Sequence, residues 1–232
     1  MATLPRISTE KLWYSRGWHE SNARRDGFIE SKWTVPASWD ETVLKGPHVD
    51  VNVPFSKVPR STMRHNQDWD LVDLESIGSN YVPPCEFERL EYSDKFASAY
   101  GLWNDDDRIV EVASTYRVAW REYVGNTTGK RTLKSAVVPP GATHVNAVNS
   151  FWSSNFDYLN LGMLCSSLLA DFLVRSLGAG HIYVSSIGLV PSVVSDSLKD
   201  EALEIFLRLN CLTSAYSPLL EKLGYGVWSN EF

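Results

Sequence analysis

The residues in this sequence best equipped for chemistry are its clustered cations. Their chemistry is hydrogen-bond donation to anions and to flat polar edges. Between Arg108 and Lys134 stand six basic residues, Arg108, Arg117, Arg121, Lys130, Arg131 and Lys134, against Glu111 and Glu122. Between Lys45 and Arg64 stand four, Lys45, Lys57, Arg60 and Arg64, against Asp50. Side chains of these types fix register on phosphates, and Arg, Lys, Asn and Gln also read base edges. A net charge of −6 argues against a general polyanion binder. The acid, however, is gathered elsewhere, at 68–75, 105–107 and 196–204, which leaves room for one basic face.

Other chemistries have weaker support. Glu30-Ser31-Lys32 matches half of a nuclease signature, but Asp26 lies too close in sequence to come from a neighbouring strand end. Ser150, Ser153 and Ser154 lack the glycines of a nucleophile elbow. No spacing of the histidines and acids in the 48–75 region supports a metal site or a triad. Cys85, Cys165 and Cys211 are odd in number and far apart, which indicates neither a disulfide framework nor a zinc site and suggests a reducing cytosol. The N-terminal stretch lacks a secretory pattern. The apolar run Leu159–Val174 carries Asn160, Ser166, Ser167 and Asp171, so it reads as a buried helix and not a membrane span.

These residues need elements to hold them, and the pattern along the chain supplies some. Hydrophobic residues make up 44% of the 232, with nine Trp, ten Tyr and nine Phe, enough to fill a sizeable core. Residues 1–45 show no sustained period and read as an extended lead-in segment. In 46–64 the alternation of Val49, Val51 and Val53 predicts a strand that runs into a proline-stiffened loop. Residues 65–107 read as loop with short elements. The clearest signal is TYRVAWREYV, where Tyr116, Val118 and Trp120 share one side and Arg117, Ala119 and Arg121 the other. With the turn cluster 125–129 and RTLKSAVV, it predicts a hairpin with one apolar and one basic face.

Further strands are expected over ATHVNAV and HIYVSSIGLVP. The repeat of Leu161, Cys165, Leu168 and Phe172 predicts one helix over 157–177, ended by Gly178. Ser195-Asp196-Ser197 is placed to cap a last helix, continued past Pro218 by Leu219 and Leu223. The class is mixed α+β: antiparallel hairpins and a twisted sheet packed with C-terminal helices. The expected division is a lead-in over 1–45, one domain over 46–223 and a tail over 224–232. His144 and His181 read as structural histidines, and Asp171 as a group that caps or bonds a neighbouring strand.

Several stretches, in order, resemble a known family. They are Gly46-Pro47-His48 with Pro54-Phe55 and Lys57-Val58-Pro59-Arg60; Tyr116-Arg117 through Arg121; Arg131-Thr132-Leu133 through Pro139-Pro140-Gly141; Leu168-Leu169-Ala170-Asp171-Phe172 with an expected strand leading to Leu189-Val190-Pro191; and Leu209-Asn210-Cys211-Leu212-Thr213. Together, over roughly 28–223, they resemble the C-terminal target-recognition part of large adenine-specific DNA methyltransferases. These are the type IIG restriction–modification enzymes and the methyltransferases of DISARM-like phage-defence systems. Lys130 departs from the family pattern, in which an acidic residue more often precedes the arginine.

The resemblance implies a type I/IIG target-recognition-like fold with double-stranded DNA as partner. It also implies a methyltransferase catalytic domain or subunit that holds S-adenosylmethionine outside this chain. On that reading the DNA-binding residues are His48, Lys57, Arg60, Arg117, Arg121, Lys130, Arg131 and Asn149, and none is catalytic. Asn52-Val53-Pro54-Phe55 is one residue away from the Asn-Pro-Pro-Phe tetrapeptide with which amino-methyltransferases grip a flipped adenine. A cofactor domain needs a glycine-rich turn after its first strand. Only Gly17, Gly27 and Gly46 precede Asn52, none of them in a G-x-G context. Asn52 therefore reads as a loop residue. Two rival readings are a protein-docking module with acidic C-terminal helices and an unrelated hydrolase.

Overall fold

A computed structural model describes residues 12–105, 108–124, 131–192 and 196–226. The first part of the chain forms β1 (Trp13–Ser15), α1 (Glu20–Arg25), β2 (Ile29–Thr34), β3 (Val43–Leu44), β4 (Lys57–Pro59), β5 (Trp69–Leu71) and β6 (Cys85–Arg89). The middle forms α2 (Asp94–Tyr100), β7 (Leu102–Asp105), β8 (Arg108–Glu111), β9 (Arg117–Arg121), β10 (Ser135–Val138), β11 (Thr143–His144) and β12 (Val148–Trp152). The last part is helical: α3 (Asp157–Cys165), α4 (Leu168–Ser176), α5 (Val184–Ile187), α6 (Asp196–Asn210) and α7 (Ser217–Lys222). The architecture is mixed α+β, with a central antiparallel sheet of order β1-β12-β9-β10 and several two-stranded pairs.

The predicted hairpin is present, with Val118 opposite Val137 and Trp120 opposite Ser135. Its parity was legible, but its exposure was not. The side of Val118, Trp120 and Phe151 packs under α3, α6 and α7, with Leu159, Phe206 and Leu219. The opposite side packs against a second cluster that includes Trp39, Leu44, Val49 and Phe55. A sheet covered on both faces has no solvent-facing basic side, which corrects that expectation. Burying a side chain such as Leu159 or Phe151 contributes roughly 1.5–3 kcal/mol.

Helix α3 approaches the sheet closely because position 162 is glycine. A Cβ there would lie 2.7 Å from both the Val118 methyl and the Phe206 ring.

Elsewhere the chain departs from its sequence pattern. Residues of the lead-in segment enter the folded body: β1 pairs with β12, and Trp18 lies in a third cluster with Ile29, Phe87 and Phe96. In place of a strand through Val49, Val51 and Val53 stands a single helical turn, Gly46–His48, followed by the tight turn Asp50–Val53 with Asn52 at φ +63°. In the ATHVNAV stretch Thr143-His144 form the short β11, Val145 bridges Trp18 and Val148 opens β12. The predicted 157–177 helix is two, α3 and α4, bent by 72°. The bend falls at Ser166-Ser167, where the Ser167 hydroxyl accepts from the Ala170 amide and caps a new helix. HIYVSSIGLVP forms a bridge at His181 and then α5, not a strand. No single described helix is long and apolar enough to cross a membrane. Ser195 and the turn cluster 125–129 lie outside the described residues.

Candidate nucleic-acid interface

One exposed concentration of hydrogen-bond donors on a defined scaffold is the tip of the β4–β5 hairpin. The two strands pair in the register Lys57–Leu71, Val58–Asp70 and Pro59–Trp69. The nine residues between them, 60–68, fold back on themselves. The Arg60 amide donates to the Asp68 carbonyl at 3.0 Å, and the Met63 amide to the Arg60 carbonyl at 3.0 Å. The Asp68 carboxylate accepts from the Arg64 and His65 amides at 2.8 and 2.9 Å. Those two backbone bonds hold its carboxyl below the usual carboxylate range. Asp68 thereby fixes the turn, as Asx residues do in loops.

The side chains of Arg64, His65, Asn66 and Gln67 are left exposed beyond it. Arg60 also stands exposed, with its guanidinium bound to Asp70 at 2.7 and 2.9 Å. Lys57 is half-buried at the base of the same hairpin.

The hairpin rests on supports from beneath. The Trp33 indole Nε1 donates to the Pro59 carbonyl at 2.9 Å. The His48 ring meets Trp69 edge-on at 4.8 Å between centroids. Between the tip and β2 lies a cavity of about 280 Å³ lined by polar groups that include Ser31, Arg64, His65, Asn66 and Glu86.

The structure corrects the sequence reading at four positions, because a buried or internally engaged side chain does not reach a duplex. His48 is fully buried: its Nδ1 accepts from the Lys45 amide at 2.9 Å and its Nε2 bonds the Pro84 carbonyl at 3.0 Å. Burial pushes its pKa down to about 4, so it is neutral and serves as a pin under the hairpin. Arg117 is also fully buried. Its guanidinium donates to the carbonyls of Ala142, Thr115 and Val112 and to the Tyr100 hydroxyl. Asn149 is buried between Tyr14, whose hydroxyl donates to it at 2.8 Å, and Glu122, which accepts from it at 3.1 Å. Arg131 donates to the Ser166 and Ser167 carbonyls and pairs with Asp171 at 3.5 Å.

Of the rest, Arg121 is half-buried at the end of β9, where its Nε packs near Gly46. Burial lowers its pKa and the Asp50 carboxylate opposes that. Lys130 lies outside the described residues. The structure thus brings Lys57 and Arg60 together on one hairpin and disperses the others. Sequence reasoning missed His65, Asn66 and Gln67. The signal was the donor-rich run Arg60–Gln67 closed by a turn-forming Asp68.

Among the described residues, no group of three or more His, Cys, Asp or Glu side chains is set to hold a metal ion. Lys32 of the nuclease-like triplet pairs with Glu88 at 2.8 Å. Burial pushes the thiols of Cys85, Cys165 and Cys211 up to about 12, so none is a thiolate near neutral pH. Asn52 uses its Oδ1 to accept from Ser166 and Asn210, an internal role. No protein-family model matches the chain, and no curated protein sequence matches it.

Proposed function

We propose that this chain is the DNA-recognition part of a site-specific adenine-N6 methyltransferase system, with a target-recognition-like fold and no catalytic centre of its own. Its partners are double-stranded DNA and a methyltransferase domain or subunit that binds S-adenosylmethionine. The observation that carries the reading is the β4–β5 tip, where Arg64, His65, Asn66 and Gln67 project from a turn braced by Asp68. A major groove admits a two-stranded hairpin, and donor side chains at its tip have the chemistry to read base edges. The sequence resemblance over roughly 28–223 supports it independently.

A second reading, a protein-docking module, is favoured by one feature. A groove of about 490 Å³ between α4 and α6 is lined by Leu164, Leu169, Val190, Ile205, Phe206 and Leu209, and Leu168 and Phe172 stand exposed beside it. Monomeric proteins seldom leave such a patch uncovered.

Binding of the purified chain to pooled random duplex DNA at two salt concentrations separates the two. Recognition gives affinity that falls steeply with salt, enriches one motif and weakens in an Arg64→Ala/Asn66→Ala variant. Absence of salt-dependent duplex binding by a folded sample would overturn the recognition reading and leave the docking one.

A further inference from the structure

We propose that Tyr123, His181 and Tyr183 form a stacking site for an unpaired nucleotide, with Arg16 beside them to take its phosphate. The site lies apart from the β4–β5 tip and is built by backbone register. The Ile182 amide donates to the Glu122 carbonyl at 2.8 Å, and the Val124 amide to the Gly180 carbonyl at 3.1 Å. Tyr123 and His181 are therefore opposite one another in an antiparallel bridge. Alternation along an extended chain sends Ile182 inward, where it is buried, and puts His181 and Tyr183 on the outer side.

The three rings adjoin in a row. Tyr123 and His181 are 4.6 Å apart between centroids and tilted by 59°, and His181 and Tyr183 are 5.6 Å apart and within 7° of parallel. Tyr123 is 48% exposed and Tyr183 50% exposed. A box of rings set edge to face around a void would suit a quaternary cation. A row of half-exposed rings, two of them parallel, suits a heteroaromatic base.

A buried carboxylate fixes the middle rung. Glu122 lies 3.2 Å from Nδ1 of His181 and 3.6 Å from Nη2 of Arg16, and it accepts from Asn149 at 3.1 Å. This network orients the imidazole, whose side chain stays 40% exposed. The Arg16 side chain is 60% exposed, and its link to Glu122 leaves the rest of the guanidinium facing solvent. Exposed flat rings and an anchored cation are parts with which proteins hold a base and its phosphate. The inference rests on the recognition reading only for the origin of the nucleotide, since an enzyme that turns a base out of its duplex leaves nucleotides unstacked.

The test is titration of the full chain with a short single-stranded oligo-dA, with the abasic strand of the same length and with AMP, followed by NMR or fluorescence. Duplex DNA is titrated in parallel. Tyr123→Ala and Tyr183→Ala alter exposed rings, and their melting curves confirm that they fold.

Each variant is expected to weaken oligo-dA about tenfold or more while duplex affinity through Arg64 is retained. The abasic strand is expected to bind poorly. Equal perturbation of the two tyrosines by AMP would assign the site to free nucleotides as well. Oligo-dA binding that is absent, or unchanged in both variants, overturns the inference even if duplex binding stands. Tyrosine-dependent oligo-dA binding without duplex binding supports the site and removes the recognition reading.

Discussion

Asn210 and Asn52 meet through their side-chain amides: Nδ2 of Asn210 donates to Oδ1 of Asn52 at 3.2 Å, across 158 residues of sequence. The same Nδ2 donates to the Phe206 carbonyl at 2.7 Å, and the Asn210 Oδ1 accepts from the Val137 amide at 2.9 Å. Val137 belongs to β10, the edge of the central sheet, and its carbonyl accepts from the Tyr216 hydroxyl at 2.8 Å. The Asn52 amide donates to the neighbouring Ser135 carbonyl at 2.8 Å. Three side-chain or loop groups thus occupy an edge that would otherwise invite another strand.

Asn210→Ala is expected to destabilise the fold by roughly 2–4 kcal/mol, because it orphans buried groups on both sides. Asn52→Gly keeps the left-handed backbone and is expected to cost about 1 kcal/mol. Urea unfolding of both variants checks this, and an Asn210→Ala effect no larger than that of Asn52→Gly would refute it.

The Asp171 carboxylate accepts from the Thr132 and Leu133 amides at 2.7 and 2.8 Å, which locks the start of the second hairpin strand to α4. Asp171→Ala leaves both donors without a partner and is expected to cost roughly 2–4 kcal/mol. Asp171→Asn keeps one acceptor oxygen and should lose less. The ranking is read from midpoints of chemical unfolding; equal losses would show that charge, not acceptance, carries the effect.

Arg117 carries its charge into the interior with carbonyls and a hydroxyl as its partners. Arg117→Ala is expected to lower stability by about 3–5 kcal/mol, on the scale of a disrupted buried charge. The DNA affinity of the fraction that remains folded should not change. A variant that melts normally yet binds duplex poorly would return Arg117 to the interface.

Buried His48 and His144 make the fold sensitive to acid. Burial lowers both, His48 to about 4 and His144 well below 6.5, with the Arg117 charge adding to the effect on His144. Below about 6.5 the unfolded chain takes up protons that the folded one refuses. Stability is therefore complete above that pH and falls as the pH drops toward 4. For His48 alone the loss at pH 4 amounts to about 3 kcal/mol. Unfolding curves across this window should be flatter for His48→Gln than for the parent; parallel curves would contradict the assignment.

The sequence showed which residues share a face but not what covers that face. The alternation of Val118 and Trp120 against Arg117 and Arg121 was legible because parity is a local property. That Trp39 and Phe55 lie over the arginine side was not, since it depends on residues far away in sequence. Asp171 was legible as a strand-bonding group because an acid in an apolar helix needs donors. The break at Ser166-Ser167 was hidden by a leucine repeat that continues through it. β1 escaped notice because three residues carry no period. Of the hairpin tip at 60–68, only Arg60 and Arg64 were visible, as part of a basic run. The rigidity of the tip was not, because it hangs on one carboxylate, Asp68, that reads as ordinary surface acid.

The order β1-β12-β9-β10 has a consequence for how the protein comes into being. Tyr14 bonds Asn149 across 135 residues, so a chain leaving the ribosome keeps its first strand waiting until more than half of the sequence has followed. The three later strands pair across shorter spans, and β1 joins them against a loop entropy that grows with its span. Of the four strands, β1 therefore closes the longest loop of chain and costs the most entropy to bring in.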